Sequence, residues 1–475
     1  MLNPVDQKFE DSKQFLPLRP GRISLALFVF LTVLSILVPP FQGPDERNHF
    51  FRVFQISEFS MVPEAKYNGL GIELPNAVVQ SVDSLQGDIP FNRHIKFKPD
   101  VYRSEVLRTV DYSSRSFVSF PNTALYSPVA YGPYVFGVWI GRIFELAPVF
   151  LFFFSRLCGV LSATLLFYLI LRIVPQYWSF FVPLFFLPMF AFQLSTISAD
   201  NMSFCLANLL LALTVRILPK GEQIQRAEFY AFVAFCFGLL LLSKQAYFPL
   251  IVPFLFFSTY CCIKLKMHKL FLKILVYFVL FSIPALFWNL TVGNMFVSLR
   301  DDVVISPKDQ GRFIIANIPY FINISINTIL TQAPELWQQF VGVFGWLDAP
   351  LPRVTNHILG FGVFFCGFLT FLKTRFSFPI RIVFAVTSVF QIFVIVAFIY
   401  LSWNPVGHGV VEGLQGRYFL PTSGFFLAFF GAGLSSIFRS EQTMRKIEHM
   451  LIILTFALIS ISAWTSVSAI LNRYY

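Results

Sequence analysis

Charge is scarce in this chain: Asp, Glu, Lys and Arg make up only 13% of its 475 residues. A soluble protein of that length needs a charged surface that this one lacks. Cysteine is scarce as well. The six thiols (Cys158, Cys205, Cys236, Cys261, Cys262, Cys366) lie in or beside apolar runs, which excludes a disulfide framework. Nucleotide-binding P-loops, dinucleotide-binding glycine motifs, zinc-binding helix motifs and nucleophile elbows are all missing. An internal repeat of the transporter kind is not evident either.

Apolar residues are what the chain has in quantity. They reach 56%, and aromatics 18%, with 62 Phe. Several runs are long enough to cross a bilayer, which takes ~20 residues each. The sequence therefore reads as an all-α, polytopic membrane helix bundle. Its net charge of +11 is read as basic loops on the cytoplasmic side, and nucleic acid is not an expected partner.

Loop charges suggest a topology. Lys8, Lys13, Arg19 and Arg22 precede the run 23–38, so residues 1–22 are expected in the cytoplasm. That run ends in Pro39-Pro40 without a small-residue cleavage site, so it is expected to stay as a first span. Further spans are expected near 149–172, 177–195, 200–218, 227–243, 245–263, 270–292, 355–373, 380–401, 418–436 and 448–470, giving about eleven. The segment 124–144 is apolar but holds Pro128, Gly132, Pro133, Gly137 and Gly141. Treating it as re-entrant or interfacial puts Arg172, Lys220, Lys266, Arg375 and Arg439 all on the N-terminal side. An even span count with an inverted N-terminus is the alternative. On the first reading, residues 23–475 form one transmembrane domain. Its first extracytoplasmic loop is 41–123, with short helices along the interface, and its second large one is 293–356.

One stretch organises the rest, Gly43-Pro44-Asp45-Glu46-Arg47-Asn48-His49-Phe50-Phe51-Arg52. Gly43-Pro44 ends one helix and starts another, with acids in its first turn. Asp45, His49 and Arg52 then share a face, and Glu46 points to the adjacent one. The plain reading is a solvated helix cap. The sharper one is an acid/base or metal-assisted site at the bilayer surface. The topology puts Asp200, Lys244, Asp348, Arg353, His408 and Arg417 on the same side, at or near span ends. Each has a plain reading as a helix cap or an interfacial anchor. Arg417 and Lys244 suit phosphate contact, Arg by its fork and Lys as a point charge. Arg156 falls inside a span, from which it could snorkel to the outer surface. Chemistry on that face has no ATP or nucleotide-sugar at hand, so an activated substrate must arrive on lipid or already exported.

Taken together these residues resemble the GT-C-type membrane glycosyltransferases. More narrowly, Gly43-Pro-Asp-Glu with His49-Phe and Arg52, Tyr126-Ser-Pro-Val-Ala-Tyr131, Ser198-Ala-Asp-Asn201, Ser243-Lys244, Phe344-Gly-Trp-Leu-Asp348 and Gln415-Gly-Arg-Tyr-Phe-Leu-Pro421 are similar to a bacterial family of uncharacterised multi-pass proteins. That family is itself thought to be GT-C-like. The resemblance implies a GT-C-like fold in the bacterial plasma membrane with its active face extracytoplasmic. It implies transfer of a sugar from a polyprenyl-phosphate carrier to a glycan or lipid-linked glycan acceptor, with membrane lipid as the setting. It makes Asp45 the catalytic base or a metal ligand, with Glu46 beside it. Lys244, Arg417 and Arg353 would hold the donor phosphate. His49, Arg52, Tyr126, Asp200, Asp348 and His408 are further site candidates. A divalent metal (Mg or Mn) could sit on Asp45, Glu46 and His49, or lysine and arginine could replace it. A large C-terminal soluble domain is lacking, so a protein sequon has no obvious reader. The competing readings are a transporter or flippase of lipid-linked glycan and a non-catalytic envelope scaffold.

Overall fold

The computed structural model describes residues 19–218, 226–300, 302–374, 376–431 and 441–475. Most of residues 1–22, together with Lys220, Arg375, Arg439 and the end of the expected span 418–436, lies outside the described residues. The architecture is the expected all-α membrane bundle.

α1 (Pro20–Leu37) starts on a proline, whose missing N–H costs nothing at a helix start, and stops before Pro39-Pro40. A cap follows, built from α2 (Glu46–Ser57), β1 (Glu64–Lys66), β2 (Gly69–Pro75), α3 (Asn76–Gln86), α4 (Val101–Glu105), β3 (Arg115–Ser119) and α5 (Pro121–Ala124). The strands form an antiparallel sheet in the order β1-β2-β3, with Ile72 opposite Val118. The short helices were expected and the sheet was not. Its signal is the alternation Leu70, Ile72, Leu74, one buried face of a strand. That face joins Phe50, Phe51, Phe54, Val78, Val82 and Phe120 in a second core that also takes in Val135, Leu151 and Phe152 of the bundle.

Residues 124–144 form a 3-10 turn (Pro128–Tyr131) and α6 (Gly132–Ile143). At 1.5 Å per residue, α6 rises roughly 18 Å, short of the ~30 Å hydrocarbon layer. It lies against α7 (Pro148–Ile173), where Gly137 meets the backbone of Phe154 with no room for a Cβ.

The bundle continues through α8 (Trp178–Phe185), α9 (Pro188–Ser195), α10 (Ala199–Ile217), α11 (Ala227–Ser243), α12 (Val252–Lys264) and α13 (His268–Val292). Then come α14 (Pro307–Ala316), α15 (Ile318–Gly342), a two-stranded ribbon of β4 (Val343–Phe344) and β5 (Ala349–Pro350), α16 (Arg353–Leu372), α17 (Phe378–Trp403), α18 (Ser423–Ala428) and α19 (Glu441–Tyr474). Among the described residues, eight helices are long and apolar enough to cross a membrane, or up to ten if each bent pair is one span. These eight coincide with eight of the about eleven expected spans. Of the other three, 177–195 is the pair α8–α9, bent by 79°, where Pro188 stops the first helix and starts the second. α11 is apolar but short, and 418–436 begins as a 3-10 turn (Gly416–Thr422) leading into α18. The segment 293–356 is not only loop, because α14 and α15 occupy it, bent by 105°.

α10 is the hub and lies almost wholly inside the protein, whereas most of α13 is not buried. α13 instead turns Leu272, Val279, Leu286, Phe287 and Leu290 outward, an apolar face suited to lipid. The cap closes the end of the bundle where α1 ends and α10 begins.

Candidate functional site

Asp45 sits where the chain leaves α1 and enters α2, with φ of 57°, a left-handed backbone. That conformation costs a residue with a side chain ~1 kcal/mol or more. An Asp at a helix start ordinarily caps it, but this side chain makes no cap hydrogen bond. Its Oδ1 instead accepts from Asn122 Nδ2 at 2.9 Å. Asn122 Oδ1 in turn accepts from Asn48 Nδ2 at 2.7 Å. Burial raises the Asp45 pKa above the usual carboxylate range. Arg417 and the Asn122 amide pull it down, and Asp200 pushes it up again.

The rest of the cluster comes from three other elements. Lys244 follows α11, and its ammonium donates to Asp200 Oδ1 at 2.6 Å. Asp200 lies in the first turn of α10, where Ser198 does the capping, so the carboxylate is free to pair elsewhere. Arg417 Nε lies 3.8 Å from Asp200 Oδ2. That Nε is buried and has no hydrogen-bond partner among the described residues. Burial alone would lower the Lys244 pKa. Asp200, with Tyr247, Tyr126 and Tyr418, outweighs it and holds the ammonium well above its ordinary value.

Aromatic rings wall the cluster. The Lys244 ammonium lies 4.7 Å from the Tyr418 ring centre and 6.0 Å from that of Tyr247. His49 Nδ1 shares a 2.7 Å hydrogen bond with the Tyr131 hydroxyl, and its ring stacks at 6.1 Å on Tyr126. Burial pushes the His49 imidazole down to about 3, against the pull of Asp200 and with the help of Arg417 and Lys244. His49 is therefore neutral at pH 7.

Six sequence candidates thus meet: Asp45, His49, Tyr126, Asp200, Lys244 and Arg417. Five do not. Glu46 points away, into a site where Arg156 Nε and Nη2 donate to it at 2.8 and 2.6 Å. Its oxygens also accept from the amides of Ile197 and Gly43. This carboxylate is committed to structure, which corrects its expected place beside Asp45 in the chemistry. Arg156 does not snorkel: it is wholly buried, and it further donates to the carbonyls of Ser35, Val38 and Pro39. Arg52 ties the cap together through Gln55, Met61 O and Tyr126 O. Asp348 pairs with Arg473 near the end of α19. Arg353 is exposed at the start of α16. His408 faces Glu412 at 3.4 Å. Among the described residues no three His, Cys, Asp or Glu side chains converge on a metal-ion position. The expected set of Asp45, Glu46 and His49 does not fit a divalent ion, because Glu46 is held by Arg156.

Sequence reading missed Asn48, Asn122, Tyr247 and Tyr418 as site residues. The last stands in the quoted run Gln415–Pro421, next to Arg417. Asn48 stands in the organising stretch Gly43–Arg52, whereas Asn122 carries no local signal. Chemically, the cluster can accept a proton at Asp45, hold an anion between Lys244 and Arg417, and stack a flat or cyclic ligand on its rings.

A family model described as "Predicted membrane protein (DUF2142)" matches residues 27–425. The chain belongs to that family. No curated protein and no solved structure matches it.

Proposed function

We propose that this DUF2142-family protein is a membrane glycosyltransferase of GT-C type. It would move a sugar from a polyprenyl-phosphate carrier to a glycan or lipid-linked glycan, on the extracytoplasmic face of a bacterial plasma membrane. One observation carries the reading: Asp45, Asp200, Lys244 and Arg417, from four distant stretches, meet at one end of the bundle.

The chemistry needs a base and an electrophilic clamp. An acceptor hydroxyl oxygen attacks the anomeric carbon, and its proton passes to Asp45. The bond from that carbon to the phosphate oxygen breaks, and the phosphate leaves with the electron pair. Lys244 and Arg417 stabilise the charge that develops on it. The unpartnered Nε of Arg417 supports this role, since a buried donor without a partner is costly unless a ligand supplies one. The raised pKa of Asp45 makes its carboxylate a stronger base than an exposed one. α13 supports a lipid donor. It is joined to the segment after Lys244 through a Gln245–Asn289 hydrogen bond, and its outer face is apolar enough to guide a prenyl chain. Asp45, Glu46 and His49 do not form a divalent-metal site, because Glu46 is held by Arg156.

Mass spectrometry of envelope glycans tests the reading in cells carrying wild-type, deleted and Asp45→Asn forms at equal protein level. Loss of one sugar branch in both altered strains, with its lipid-linked precursor accumulating, supports the transferase. Loss on deletion but not with Asp45→Asn points instead to a transporter or a scaffold.

A further inference from the structure

Asp45 is held by a relay with only one consistent polarity. A carboxylate can only accept hydrogen bonds, so Asn122 must turn its amino group to Asp45. Its carbonyl then faces Asn48, which must turn its own amino group to meet it. Asp45 Oδ2 makes no hydrogen bond among the described residues. The segment that carries Asn122 is separately fastened to α2, because Thr123 Oγ1 donates to Asn48 O at 2.9 Å. Placement of the segment and orientation of the amide are therefore two distinct contacts.

We propose that Asn122 is the positioning residue of this site: its amide, locked by Asn48, pins one oxygen of the Asp45 carboxylate and leaves the other free for a ligand. The arrangement explains three features together. Asp45 takes a left-handed backbone, its carboxylate forgoes the helix cap, and two asparagines are aligned behind it. It also makes the relay sensitive to charge. The Asn122 N–H bonds more strongly to the ionised carboxylate than to the carbonyl oxygen of the protonated acid, so it favours the charged form. That Asp45 serves as a base rests on the transferase reading; the pinning does not.

The test therefore reads Asp45 without any substrate. A hydrophobic carbodiimide labels a buried carboxyl group only when it is protonated. The rate of label appearing on the Asp45 peptide, followed by mass spectrometry against pH, reports where Asp45 titrates in the purified full chain. Arg417, Asp200 and Tyr126 also interact with this carboxylate and stay unchanged throughout. Asn122→Leu is expected to move the midpoint up by about half to one pH unit, the worth of one hydrogen bond to the charged form. Asn48→Leu, which frees the amide to flip, moves it the same way by less. Thr123→Val loosens the segment but keeps the relay, and leaves the midpoint in place. Asn122→Gln, with a donor on a longer arm, recovers part of the shift. An unmoved midpoint in Asn122→Leu overturns the proposal, and so does an equal shift in Thr123→Val. If Asn122→Leu fails to fold, the comparison of Asn48→Leu with Thr123→Val decides in the same way. Loss of the transferase reading on other grounds would leave this titration result standing.

Discussion

Arg156 Nη2 donates to Glu46 Oε2 at 2.6 Å, and neither side chain has any exposed surface. The pair joins α7 to the start of α2 and so fixes the turn that presents Asp45. Removing one partner leaves a buried charge alone. Arg156→Met is expected to cost about 3–5 kcal/mol, with a matching fall in the unfolding temperature of the detergent-solubilised protein. The double change Glu46→Leu with Arg156→Met should recover part of that. The amides of Ile197 and Gly43 stay orphaned, so recovery is incomplete. A double variant less stable than Arg156→Met would show that the charge pair is not what holds this junction.

Lys244 owes its raised pKa to Asp200 above all. In the wild type the amine is protonated and should resist acylating reagents at neutral pH. Asp200→Asn removes the first of the influences holding the proton. Labelling of Lys244, read by mass spectrometry, should then rise at least ~10-fold, the effect of about one pH unit. Equal labelling in both proteins would show that the two groups are not coupled in solution.

His49 predicts a stability slope. Its folded pKa lies near 3 and its unfolded value near 6.5, so the unfolded chain binds the extra proton between those limits. Its contribution is complete above pH ~6.5 and drains away as pH falls toward 3, by up to ~1.4 kcal/mol per unit. Thermal unfolding measured from pH 7 to 4 should fall more steeply in the wild type than in His49→Gln. Parallel curves would mean that His49 is already solvated when folded.

How far the sequence could be read follows from how local each signal is. Apolar runs are local, so eight spans and the bundle were legible from them. Charges at span ends are costly near lipid, and that signal picked out Asp200, Lys244 and Arg417 along with Asp348, Arg353 and His408, which lie elsewhere. The direction of Glu46 was not legible, because Arg156 lies 110 residues away and only packing joins them. Asn122 sits in the four-residue helix α5, and its use depends on a neighbour 77 residues earlier. The bend between α8 and α9 was marked by Pro188 but hidden inside a continuous apolar run.

The most direct test of Asp45 as the base is turnover of the native lipid-linked precursor by purified protein in liposomes. The precursor is taken from the envelope extract of a deletion strain. Wild-type protein should consume it, with an acid limb above the ordinary carboxylate range because the Asp45 pKa is raised and only the ionised form accepts a proton. Asp45→Asn should be at least ~100-fold slower while keeping its unfolding temperature. Turnover by Asp45→Asn at the wild-type rate would contradict the account.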